Sequence, residues 1–145
     1  MDRMVPSTQI FFDEVRAACQ ETMLSLGLTG PAEIDRVMPV STYQGGGVEY
    51  QFGLDFREGA VECHVGTETE SATFTAGIED VALAARVVEL RGRMSYSARN
   101  LKQLRKSLLG QAEYVRLVHP VLADSPTEDL MRRAGAREWR KDAER

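Results

Sequence analysis

Cysteine, histidine and tryptophan are scarce in this 145-residue chain, which holds two, two and one of them. Two cysteines, Cys19 and Cys63, give no disulfide framework. They read as buried free thiols in a reducing compartment, with a single bond between them left open. The two histidines and two cysteines lack ligand spacing, and the acids follow no calcium-loop pattern. No metal and no cofactor is expected. No apolar run approaches the roughly 18 residues that span a bilayer. The opening MDRMVPSTQIFFDE lacks the apolar centre of a signal peptide, because acids follow at once. These absences point to a cytoplasmic protein with no membrane partner.

What is present is ordinary in bulk and lopsided in order. The hydrophobic fraction is 43%, the charged fraction 28% and the net charge −4. One domain over 1–145 fits that length, which is enough to bury a core without staples. Residues 1–90 carry 15 acids and 5 bases, whereas residues 91–145 carry 7 acids and 13 bases. Segment 91–112 has six bases and no acid. It is self-neutralised by the acidic first half, solvated, or a recruiting surface.

Hydrophobic periodicity predicts the elements. Ser7 to Gly27 reads as a helix with Phe11, Val15, Cys19 and Leu26 on one stripe and Ser7 or Thr8 as cap. Four strands follow. The first, about 35–43, is weak, and Pro39 places it at an edge or bulge. QGGG, 44–47, is a turn. Val48 to Phe56 alternates cleanly and predicts Tyr50, Phe52, Leu54 and Phe56 facing inward. Ala60–Gly66 and Ser71–Gly77 complete an antiparallel meander. Ile78–Leu90 and Ser97–His119 read as helices, the second ended or kinked by Pro120. Ser125 to Glu128 reads as a capping box opening a last helix to about Lys141. Its thin apolar face, Leu130, Met131 and Ala134, predicts loose docking of 126–145. The expected fold is α+β: one N-terminal helix, a four-stranded antiparallel sheet, and two to three C-terminal helices on one sheet face.

The pair Cys63–His64 is the first chemical candidate. In a strand, neighbours point to opposite faces, so Cys63 joins Val61 and Val65 inside and His64 looks outward. That excludes a thiolate–imidazole pair between them, and no catalytic residue is assigned. YQGGGVEY leads from strand to strand, so its glycines make a turn and no phosphate loop. Glu49, Gln51, Asp55, Glu62 and His64 should share the outer sheet face, as a solvated or partner-facing surface. Arg99, Lys102, Arg105 and Lys106 form a basic helical side. The acidic pI near 5.3 and the lack of aromatic support argue against nucleic acid there. Trp139, in AREWRKDAER, either anchors an interface or caps the core.

The layout also carries a resemblance. A helix with Phe11–Phe12 ends in Leu-Gly-Leu (26–28). The paired strands VEYQFGLDFREGAVECHVG, a Ser-Ala-Thr-Phe-Thr-Ala strand, an apolar helix and the long NLKQLRKSLLGQAEYVRLV follow. Over residues 8–122 this resembles a set of small, mostly uncharacterised bacterial α+β proteins, several similar to immunity proteins of toxin systems. Its most specific piece is Leu108 to Tyr114. The resemblance implies a non-enzymatic cytoplasmic protein binder. One alternative is a secretion-chaperone-like adaptor dimer of the type III class, and another is a nucleic-acid-associated regulator using the basic helix 97–119. Chaperones of the type III class return to the sheet after a helix, whereas after Gly77 this chain reads as helices only. A protein partner, with a second copy as one candidate, is therefore expected.

Overall fold

A computed structural model describes residues 6–124 and 126–141. Ser125, expected to open a capping box, lies outside them. Helix α1 spans Thr8–Ser25. The Ser7 hydroxyl accepts the Ile10 N–H, satisfying one orphan donor of the first turn. Phe11, Phe12, Val15, Cys19 and Met23 recur at helical spacing and are buried. The helix closes where Gly27 turns left-handed at φ +83° and the Leu28 N–H returns to the Met23 carbonyl.

Five strands follow as a meander: β1 (Thr29–Asp35), β2 (Pro39–Gly45), β3 (Val48–Asp55), β4 (Ala60–Glu68) and β5 (Ala72–Gly77). The single strand expected over 35–43 is two strands joined at 36–38. No residue of β1 is buried, so it carries no apolar alternation to read. Pro39 stands on neither an edge strand nor a bulge. It is the first residue of the interior strand β2, where it lies opposite Asp35 of β1, and pairing with β3 starts only at Val40.

Helix α2 spans Ile78–Ala84 and stops short of the expected Leu90. The Val87 N–H bonds back to the Ala82 carbonyl around Arg86, which sits at φ +61°. This is the same closure as at Gly27, made without glycine, and the missing glycine hid it in the sequence. A side chain in the left-handed region costs about 1 kcal/mol. Arg86→Gly should therefore raise stability by about that amount, read as a higher urea midpoint at constant m-value.

Helix α3 spans Leu101–Asp124, beginning later than Ser97 and passing through Pro120. Asn100 Oδ1 caps it by accepting the Gln103 N–H. Pro120 does not end it, because Val118 and Leu122 stay buried on either side while Pro120 itself is exposed. The carbonyl it frees, on exposed Arg116, is left to water.

Helix α4 spans Thr127–Arg133 and is docked by Leu130 and Met131, at 1% and 0% exposure. It does not reach Lys141. Gly135 at φ +76° ends it, with the Ala136 N–H on the Met131 carbonyl, and the chain returns as β6 (Arg137–Arg140). β6 pairs antiparallel with β5. Among the described residues the sheet thus has six strands, not four, in the order of the sequence. β1 and β6 are the two that the sequence concealed.

One sheet face carries the core: Tyr43, Tyr50, Phe52, Leu54, Val61, Cys63, Val65 and Phe74 are all at most 1% exposed. Phe56, expected inward, lies past the end of β3 and is 43% exposed. The Tyr50 hydroxyl meets His119 Nδ1 at 2.7 Å. Burial lowers the His119 pKa and raises that of Tyr50. Beyond the point where β5 leaves β4, residues 96–98 take its place. The Val61 N–H donates to the Tyr96 carbonyl and the Ala98 N–H to the Gly59 carbonyl. Three buried polar residues hold this segment. Glu79 accepts from Tyr96 and from the Gly92 N–H, Ser107 donates to the Ser97 carbonyl, and Gln111 donates to the Ser95 and Val61 carbonyls.

Candidate docking face of the sheet

α1 and α3 pack on one side of the sheet. The opposite side has no helix among the described residues and forms a grid read from the strand register. One row crosses all six strands: Thr29, Gln44, Glu49, Gly66, Thr75, Arg137. A second holds Ala32, Thr42, Gln51, His64 and Gly77, and a third Ile34, Val40, Gly53 and Glu62. At the other end Thr73 lies opposite Glu68 and Trp139.

Glycine stands at an outward position on each of β3, β4 and β5, and bare backbone lowers the floor there. Glu49 lies down over Gly66, where an added Cβ would come within 3.1 Å of its Cγ. Glu62 does the same beside Gly77, at 2.9 Å from its Oε2. Around Gly66 lies a depression of about 550 Å³, lined by Gln44, Glu49, Gln51, His64, Thr73 and Thr75 among others. Outside that depression, Ile34, Val40 and Met38 form an apolar corner of the sheet face, the last with its Cε 3.7 Å from the Cβ position of Gly53.

Of the residues expected on this face, Glu49, Gln51, Glu62 and His64 come together. The Gln51 amide donates to Glu49 Oε1. His64 Nε2 stands 3.7 Å from Glu62 Oε1, too far for a hydrogen bond, with both side chains nearly half exposed. Asp55 is on the face but otherwise engaged: its Oδ1 accepts the Arg57 and Glu58 N–H groups and shapes the β3–β4 loop. Neither Asp55 nor Glu62 lines the depression that holds His64. Cys63 points into the core. Burial pushes the Cys19 thiol up to about 12, and burial carries that of Cys63 well above its ordinary value. Among the described residues no group of three or more His, Cys, Asp or Glu side chains could hold a metal ion. No helix among them is long and apolar enough to cross a membrane.

The basic residues are dispersed. Arg105 reaches back to Glu14 of α1 through two bonds of 3.0 and 3.1 Å, and Arg91 pairs with Asp80 at 2.8 Å. Two bases of segment 91–112 are thus paired with acids of the first half. Arg99 precedes α3 and lies over Gly59. Lys102 and Lys106 are exposed on α3, beside Leu109 at 58% exposure. Trp139 lies outside the helices and outside the core. It stands 48% exposed on β6, with the Arg137 guanidinium 5.3 Å from its ring centroid.

Sequence reasoning missed Ile34, Val40 and Met38, whose strand was not resolved into two. It also passed over Gly53 and Gly66, legible as glycines at outward positions of two predicted strands. No family model, no curated protein and no solved structure matches the chain.

Proposed function

We propose that this protein is a non-enzymatic protein-binding module, an immunity-like inhibitor or similar cytoplasmic binder, that docks through its uncovered sheet face. The observation that carries this reading is a sheet with one face packed by helices and the other bare, dished and acidic. An antiparallel sheet tolerates a wet face. The bare glycines and the carboxylates of Glu49 and Glu62 lying flat beside them offer a partner a broad, shallow, negatively charged seat. Such a surface steers encounter with a basic one and covers it by occlusion.

Affinity capture from nuclease-treated lysate of the source cells, at moderate salt, tests this. One protein should co-elute stoichiometrically with the wild type. It should be weakened about tenfold or more by Glu49→Lys with Glu62→Lys, the size expected of reversed interface charges. Lys102→Glu with Lys106→Glu should leave it unchanged. Loss of the partner only with the lysine variants would sink the sheet-face reading and move the contact to α3.

The adaptor-dimer alternative gains one observation. β6 brings the chain back to the sheet after the helices, which removes the departure from that class noted in the sequence. Sedimentation equilibrium separates the two readings, since an adaptor of that kind gives a dimer mass in the absence of any partner.

A further inference from the structure

We infer that the occupant of the open sheet face is a basic amphipathic helix of the partner protein, lying along the diagonal from Ile34 to Trp139. This rests on the protein-binding reading and names the partner segment. Three observations converge on it. First, a sheet face presents side chains and not the edge N–H and C=O groups of a strand, so a segment lying on it must satisfy its own backbone hydrogen bonds. A helix does so and an extended peptide does not. Second, the two apolar points of the face stand at opposite corners. Ile34 and Val40 lie on β1 and β2 in the Gly53 row, and Trp139 lies on β6 beside Thr73. Third, the carboxylates flank that diagonal. Glu62 lies on one side and Glu49 on the other, with Glu68 beyond it held by Lys141, and the bare backbone of Gly66 falls near the middle.

The dimensions commit the occupant to a length. Five strand spacings across and three two-residue steps along give a diagonal of about 31 Å. At a rise of 1.5 Å per residue, that is a helix of about 20 residues. An apolar stripe on it would meet Ile34, Val40 and Trp139, and bases on its two flanks would meet Glu62 and Glu49. A membrane surface or a nucleic acid would want bases along the diagonal, whereas its middle is flanked by Glu49 and Glu62 and Arg137 stands only at its Trp139 end.

Trp139 is the only tryptophan in the chain, so its emission reports on this face alone. The probe is a synthetic 21-residue helical peptide of leucine and lysine, of about the diagonal's length, titrated against the full chain. A peptide of the same composition with its order scrambled is the control. The expected result is a saturable blue shift of Trp139 emission with the helical peptide. Affinity should fall about tenfold or more with Ile34→Asp, with Glu49→Lys plus Glu62→Lys, and with the scrambled order. Equal binding of the scrambled peptide would overturn the helix and leave the acidic face standing. Equal binding by the charge-reversed variant would overturn the acidic face itself. No shift up to millimolar peptide would overturn the inference. So would concentration-dependent self-association of the chain alone with a shift in Trp139 emission, which would assign the face to a second copy.

Discussion

Gly30→Ala is expected to destabilise the protein by about 3–5 kcal/mol, as the sum of backbone strain and overpacking. Gly30 sits at φ +132°, a conformation that side-chain-bearing residues rarely adopt. A Cβ there would come 2.6 Å from the Thr42 carbonyl oxygen and 3.3 Å from the Tyr43 Cα. Both are backbone atoms of β2, and Thr42 and Tyr43 are themselves paired with Gln51 and Tyr50 of β3. They cannot yield without breaking that register, so β1 must move instead. β1 is moored to α1 by an Arg16–Glu33 ion pair, and the Gln20 side chain lies between the Tyr43 hydroxyl and the Gly30 carbonyl. Displacing β1 therefore loosens α1 as well. Gly46→Ala is the control, since Gly46 is also left-handed but an added Cβ meets nothing within 4 Å. It should cost only about 1 kcal/mol. Urea unfolding of both variants checks the claim. A Gly30→Ala loss no larger than that of Gly46→Ala would remove the steric half of the argument.

The second large effect is expected at Glu79. This side chain is 6% exposed, and its two oxygens accept from the Tyr96 hydroxyl and the Gly92 N–H, each at 2.7 Å. Glu79→Ala deletes both acceptors, and since Gly92 is exposed and Tyr96 half-buried the two donors turn partly to water, so the loss should be about 2 kcal/mol. The damage should be directional. Tyr96 also accepts the Val61 N–H, and the Ala98 N–H bonds to Gly59, so hydrogen exchange at Val61 and Ala98 should quicken first. Amides in the β2–β3 ladder should keep their relative protection. Glu79→Gln, which retains acceptor capacity, should fall between the variant and the wild type. A stability change below about 0.5 kcal/mol in Glu79→Ala would mean that the 91–98 segment is held by Ser107 and Gln111 alone.

How far the sequence revealed this structure depended on burial. β3 and β4 were legible because one side of each strand is in the core and the other in water, so Val48 to Leu54 alternates. β1 and β6 were not, because their residues are mostly exposed on both faces and no alternation is required of them. Helix ends were legible where glycine makes the closing turn, as at Gly27. At Gly135 the same signal was present and was overridden by the weak apolar spacing of Leu130, Met131 and Ala134. At Arg86 there was no signal, because an arginine occupies the left-handed position. Of the two readings of Pro120, an end or a kink, the end is excluded, because the helix continues to Asp124 with Pro120 on its exposed side. On the candidate face, Glu49, Gln51, Glu62 and His64 followed from strand parity alone. The internal pairing of Arg105 with Glu14 could not, since it depends on how α3 crosses α1.

The order of the strands has a consequence for how the chain is made. In β1 to β5 every pairing is between neighbours in sequence, so the sheet can zip from hairpin to hairpin as it leaves the ribosome. The face holding Tyr50, Phe52, Val61, Cys63 and Phe74 is then complete before α3 has been synthesised to cover it. β6 cannot join β5 until the chain has been made through Arg140. The nascent protein thus passes through a stage with five strands paired, an apolar face covered by α1 but not yet by α3, and an unpaired β5 edge. That stage is its most aggregation-prone one, and chains released before α3 should be the ones that chaperones and proteases meet.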